Sequence, residues 1–561
     1  MSETGDLITR IYSSFRGVDF RGEEINIIRS PDSLNVWKDY KETESIRTRP
    51  GMKLLTSAGF AVRGIHFYND TMIAHIGGGL YKIKDGQMTR IATVSAESDR
   101  TGSSFVYNGI WYFKDGKHYY QYDGVTCKEV EGYVPTTSIG RKPAGGGTLH
   151  EDVNMLTGRR INTFLGDGSA LDYYLDAQNI DSVESVKVNG AVISTSKYKV
   201  HKDTGRIEFL ETAPSAPTTD GRDNVTIEFT KTNKRNRDSI LKCTLLQVFD
   251  NRVFVSGNKS YPNTVWHCSL HDPTYFSDLD YYEEGVDSAQ VNGLVAGNNA
   301  LWVFREPSDA NTTVFYHSPT IDAEYGKIYP SQHSSITTGC IGKAINFNDD
   351  IIFFSDRGME GISGDITTEQ AVAHRSSLVD RKLIASSDYK DMVLAEWKGY
   401  LFVFVGDKAF LADSRAVFTN ENHIEYEWFY WHMEKKITCA SVHGGVLYLG
   451  TEDGIYTLDD MAADVESYWV TPKDKFKAPH KLKTTNKRGC VVEATGDISV
   501  YAKLEDTDFE LIGTYENVTD YFVSRIKRKK FKDIQLKFHS KTRFSLETAT
   551  LECFVGGYIK R

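Results

Sequence analysis

"GIHFYNDTMIAHIGGGLYKIKDG", residues 64–86, contains an apolar run, the polar pair Asn69-Asp70, a second apolar run, and an aromatic strand that ends at Asp85-Gly86. Asn and Asp accept a positive φ at low cost, as tight hairpin turns require, so the stretch predicts a short antiparallel meander. Six further segments share the design, with turn pairs at Asn108-Gly109, Asp250-Asn251, Asn298-Asn299, Asn348-Asp349, Lys398-Gly399 and Gly444-Gly445. Successive pairs lie 39, 142, 48, 50, 50 and 46 residues apart. A period of roughly 40–50 residues is that of a β-propeller blade. "GGLYKIKDG", "KHYYQYDG" and "DGIYTLDD" supply third strands. WD-repeat and kelch signatures are absent, so period and turn chemistry carry the argument.

The 142-residue gap exceeds one period and predicts either an inserted domain or a missed blade with a smaller insertion. Within it, "VESVKV", "YKVH", "RIEFL" and "NVTIEF" alternate as short strands, with turns at Asn189-Gly190 and Thr204-Gly205. Val225, Ile227 and Phe229 are expected to face a core while Thr226 and Glu228 face water. After about Ala478 the period breaks, and "RGCVVEAT", "DISVYAKL", "FELIGTY", "DIQLKFHS" and "TLECFVGG" form another alternating set. The fold predicted is all-β: a β-propeller of six or seven blades with an inserted immunoglobulin-like β-sandwich and a C-terminal β-sandwich. Expected boundaries are 1–55 for an N-terminal arm and propeller-closing strand, 56–156 for the first blades, 157–232 for the insertion, 233–478 for the remaining blades and 479–561 for the C-terminal domain.

Composition agrees. The 561 residues exceed a single core, aromatics reach 12%, Gly is frequent at 46 and Pro scarce at 13, as in β-rich chains with many turns. The seven cysteines stand singly, without a CxxC pair, and signal neither a zinc site nor a disulfide framework. "MSETGDLITRIYSSF" lacks a leader pattern and no apolar run is long enough to cross a membrane, so a soluble chain made in the cytoplasm is expected.

GxSxG, HExxH, P-loop and dinucleotide fingerprints are absent, and "TEDGIYTL" and "SDRGMEGI" lack the full Asp-box pattern of sialidases. No catalytic residue, cofactor or metal is assigned, and His66, His75 and His118 fall at no ligand spacing. "EWFYWHMEKK", residues 427–436, reads as a blade strand buried between neighbours rather than a sugar platform.

The formal charge of −10 is unevenly spread: residues 473–561 hold 19 Lys/Arg against 12 Asp/Glu, a balance of +7 that leaves −17 elsewhere. The excess is concentrated in "RIKRKKFKD", residues 525–533. Arg525, Lys527, Arg528, Lys529, Lys530 and Lys532 are the candidate site residues, with three open readings: contact with a DNA backbone, contact with an acidic subunit, or a lysine-blunted edge strand.

One further stretch, "SPDSLNVWKDYKETESIRTRPGMKLL", residues 30–55, precedes the first hairpin. Its Pro50-Gly51 pair punctuates a turn before an apolar strand, predicted to complete the last blade, with Leu34, Val36 and Trp37 as core contacts. Together with an insertion opened by "FLGDGSALDYYL" and a C-terminal domain running from "PHKLKTTNKRG" to "KRKKFKDIQLKF", this phrase resembles the tail nozzle, or packaged-DNA stabilisation, proteins of short-tailed bacteriophages. That resemblance implies a structural virion protein without enzymatic activity, assembled as a ring, usually a hexamer, beneath portal and adaptor proteins. Such a ring lines or closes the exit channel for genome retention and ejection, with tail fibres as further partners and DNA passing without sequence specificity. The loops at 271–288 and 305–313 are long enough to reach a channel. A host-surface adhesin and a glycan-degrading tail protein remain the alternatives.

Overall fold

The computed structural model describes residues 6–40, 45–97, 101–309, 312–323, 326–363, 371–420, 423–527 and 530–558. Two compact units divide the chain, one made of residues 1–90 with 335–561 and the other of residues 91–334.

The fold is a β-propeller. Among the described residues, seven four-stranded antiparallel sheets repeat along the chain. The first is Val62–Tyr68, Thr71–Ile76, Gly79–Lys84 and Gln87–Thr93. The second is built on Ser103–Tyr107, the third on Leu245–Phe249, the fourth on Val291–Gly297 and the fifth on Ala344–Phe347. The sixth, Val393–Trp397 to His423–His432, has the longest strands. All seven predicted turn pairs hold both residues at positive φ, from Asn69 at 46° and Asp70 at 60° to Gly444 at 56° and Gly445 at 77°. Those values are the twist that lets two short strands pair at once. The first strands of the second and third, third and fourth, sixth and seventh, and seventh and first blades lie against each other.

The seventh blade contains only three consecutive strands: Cys439–His443, Val446–Gly450 and Gly454–Asp459. Its fourth is Gly51–Ser57, which pairs antiparallel with Gly454–Asp459, as the punctuation at Pro50-Gly51 predicted. Val36 and Trp37 are buried, and Trp37 stacks on Trp397 at 5.8 Å and meets Trp431 edge-on at 5.4 Å. Leu34 is half-buried and bridges to Tyr468.

The inserted domain is a sandwich of a six-stranded sheet and a three-stranded sheet, Asp172–Tyr174 with Tyr198–His201 and Arg206–Phe209. Phe164, Val186, Val225 and Ile227 from one layer share a core with Tyr173, Ile207 and Phe209 from the other. Its sheet includes Thr136–Arg141, which lies ahead of residue 157 and pairs in parallel with Arg159–Phe164. A parallel partner leaves no hairpin turn in the sequence. The segment 271–288 is not a free loop: Phe276 is buried, and Tyr281–Glu283 is the fourth strand of the third blade.

The C-terminal sandwich is one ten-stranded sheet organised by the 24-residue strand Lys481–Leu504. Cys490, Val492, Ala494, Ile498, Val500 and Ala502 all face its core. The strand turns at Gly496, whose φ of 92° and register shift fit a bulge. Strands Asp6–Tyr12, Val36–Trp37 and Ile46–Thr48 of the N-terminal arm and Ser467–Val470 join the same sheet. Arm, sheet and sixth and seventh blades therefore share one core. Gly17, at φ 115°, marks the crossing, where a Cβ would lie 1.9 Å from the Trp428 carbonyl oxygen.

Candidate functional site

The basic run lies between Tyr521–Ser524 and Ile534–Ser540, and within it Lys530–Phe531 is a short strand that pairs to Lys483 and Thr484. Arg525, Lys527, Lys530 and Lys532 point to solvent while Ile526 and Phe531 turn inward, Phe531 almost completely. Burial thus separates the exposed charges from the apolar anchors. Arg528 and Lys529 lie outside the described residues.

The run is held from beneath by Lys483. Its ammonium is buried and donates to the carbonyl oxygens of Ala478 at 2.6 Å and Lys532 at 2.7 Å, and burial pulls its pKa down from the ordinary lysine value. Glu505 Oε1 accepts the Lys532 amide at 3.0 Å. With these anchors in place, Arg525, Lys527 and Lys530 border a cavity of about 330 Å3 floored by Ala502, Leu504, Ile512, Ile526 and Phe531. Leu511 stands at its mouth, 56% exposed. Among the described residues these three cations form no ion pair with a carboxylate, whereas the cations of the N-terminal arm do.

A second cleft, about 420 Å3, is lined by Arg357, Glu360, Val372, His374 and Asp380 of the fifth blade region. His374 Nε2 lies 2.6 Å from Asp380 Oδ2 and its Nδ1 3.2 Å from Glu360 Oε2. Burial by itself would lower the imidazole pKa, but the hydrogen bonds to Asp380 and Glu360 prevail and raise it to about 10. Ser376 Oγ donates to Asp380 Oδ1 at 2.5 Å, away from the imidazole. Both ring nitrogens are occupied by carboxylates, so this His is a fixed cation and activates no hydroxyl. It was invisible in the sequence because its partners lie 14 residues upstream and six downstream, on different elements.

The imidazoles of His66 and His267 are buried within the blades. Burial pushes His66 down to about 3 and His267 to about 4, which keeps both neutral. Trp428, Phe429 and Trp431 of the aromatic run are buried in the sixth blade, the architectural reading of that stretch. Among the described residues, no group of three or more His, Cys, Asp or Glu converges to hold a metal ion, and no helix is long and apolar enough to cross a membrane.

The residues of the opening phrase form a buried polar node. Arg49, 1% exposed, donates to Asn35 Oδ1 at 3.0 Å, to the Pro50 carbonyl at 2.9 Å and to the His432 carbonyl at 2.8 Å, and pairs with Glu434 Oε1 at 3.0 Å. Asn35, at φ 55°, accepts the His432 amide at 2.8 Å and donates to the Glu466 carbonyl at 2.8 Å. Ser30 Oγ donates to the Val470 carbonyl at 2.7 Å. One short polar phrase thus joins the arm, the sixth blade and the C-terminal sheet.

No family model matches the chain, and no curated protein matches it. Among solved structures, it is similar to BamB from Moraxella catarrhalis, at 12% identity over 75% of this chain and 99% of that one, with a TM-score of 0.33. It is also similar to PorZ from Porphyromonas gingivalis, at 12% identity over 85% and 75% with a TM-score of 0.25, and to Kluyveromyces lactis Hsv2, at 9% over 66% and 97% with a TM-score of 0.26. The fold assignment rests on the strand pairing of the chain itself.

Proposed function

We propose that this chain is a structural subunit of a short-tailed phage tail, a nozzle or distal tube ring that lines or closes the DNA exit channel. The observation that carries the reading is the buried node. The phrase that bears the resemblance, Ser30 with Leu34-Asn35-Val36 and Arg49-Pro50-Gly51, is the seam at which the propeller and the C-terminal sheet meet. A phrase that looks weak as sequence is specific as architecture, since the side chains of Ser30, Asn35 and Arg49 each have a defined partner. A chain sharing the phrase needs the same junction of propeller and C-terminal domain. The acidic balance of −17 outside residues 473–561 suits a channel wall, because it repels phosphates and lets DNA slide. The reading gives the protein no catalytic step.

Electron microscopy of the purified chain, alone and mixed with portal–adaptor and tail extract, tests it. Closed rings, six-fold or a multiple of it, are expected. Monomers that bind cells, or purified chain that cleaves envelope glycan, would replace the nozzle with an adhesin or a tail enzyme.

A further inference from the structure

The cavity beneath the basic run combines three features that the nozzle reading does not use. Its volume of about 330 Å3 lies at the low end of the roughly 300–1,000 Å3 range of small-molecule sites. Ala502, Leu504, Ile512, Ile526 and Phe531 give it an apolar floor, with Ile526 and Phe531 buried beside the exposed lysines. Its border carries Arg525, Lys527 and Lys530, which have no carboxylate partner among the described residues. Of the two carboxylates that also line it, Glu505 is engaged by the Lys532 amide and Glu510 is solvent-exposed.

An edge strand blunted with lysine would need the outward charges but no cavity. A phosphate-backbone track would need the charges but no apolar floor. Unpaired cations at the mouth and aliphatic carbons at the floor select a ligand with the opposite arrangement, a charged head and a thin apolar body. The small volume selects one chain rather than two.

We propose that this cavity is a binding site for a monomeric single-chain anionic amphiphile of the fatty-carboxylate class. The carboxylate lies among Arg525, Lys527 and Lys530, and the alkyl chain enters past Leu511 to rest on Ile512, Ile526 and Phe531. The inference goes beyond the nozzle reading, and its test uses the full chain.

The probe is dodecanoate, titrated calorimetrically below its micelle concentration. Two ligand controls accompany it: decanoate, and dodecyltrimethylammonium, which keeps the chain and reverses the head. The K527E/K530E double variant and L511D alter only exposed positions, and thermal melting checks that both remain folded. Saturable one-to-one binding of dodecanoate is expected, weakened roughly tenfold by removing two methylenes and at least tenfold by either variant, with no saturable binding of the cationic twin. The proposal is overturned by a lack of saturable dodecanoate binding, by equal binding of both head charges, or by folded variants that bind as the parent does.

Discussion

Residues 30–51 and residues 525–533 are both short, polar and without a catalytic motif, yet they do opposite things. In the first, Arg49 and Asn35 spend their hydrogen-bonding capacity inside the protein. In the second, Arg525, Lys527 and Lys530 keep their charges outward at the border of a cavity with an apolar floor. The difference teaches that a charge run has no meaning until its partners are counted. A buried guanidinium with every donor placed is architecture, because removing it strands its partners in a dry interior. An exposed cation without a partner costs the fold nothing and is free to meet a ligand or a neighbour.

The contrast can be broken from its stronger side first. Deleting residues 30–57 removes both the node and the fourth strand of the seventh blade, and is expected to give an aggregated chain with no cooperative melting transition, as read by calorimetry and light scattering. Trp37→Ala empties the space against Trp397 and Trp431 and should cost about 3–5 kcal/mol in denaturant unfolding. Arg49→Leu leaves Asn35 and the His432 carbonyl short of a donor and should cost about 3 kcal/mol in the same assay, less any gain from burying leucine.

A milder test uses pH. His374 is raised in the folded protein to about 10 from an ordinary 6.5, so its ion pairs contribute fully below pH 6.5 and the contribution is lost as pH rises through about 10. Melting midpoints measured from pH 6 to 10 should decline for this reason, and His374→Gln should remove that part of the slope, on the order of 1 kcal/mol once solvent screening is included. At the weak end, Lys527→Ala and Lys530→Ala should change unfolding free energy by no more than about 0.5 kcal/mol. A loss like that of Arg49→Leu would erase the contrast.

Much of the propeller was legible because each hairpin announces itself locally. Asn69-Asp70 and its six counterparts need positive φ at both positions, and few residue types tolerate that. The closing strand was legible from Pro50-Gly51. What escaped were long-range pairings without turns: the parallel partnership of Thr136–Arg141 with Arg159–Phe164, and the N-terminal strand Asp6–Tyr12 pairing with Phe544–Tyr558. At the candidate site the charges were visible, as were Ile526 and Phe531 set among them. The cavity was not, because its floor includes Leu504 and Ile512 from strands that fold back across the run. His374 escaped for a similar reason, since only the folded chain brings Glu360 and Asp380 to its two nitrogens.

The central claim is that the N-terminal phrase is an integral part of the propeller. Hydrogen exchange followed by mass spectrometry reads it directly at Gly51–Ser57. Those amides of Gly51–Ser57 that face Gly454–Asp459 should be protected to the level of the strand they pair with, and both segments should be released together in the Arg49→Leu protein. Rapid exchange at Gly51–Ser57 while Gly454–Asp459 stays protected would contradict it.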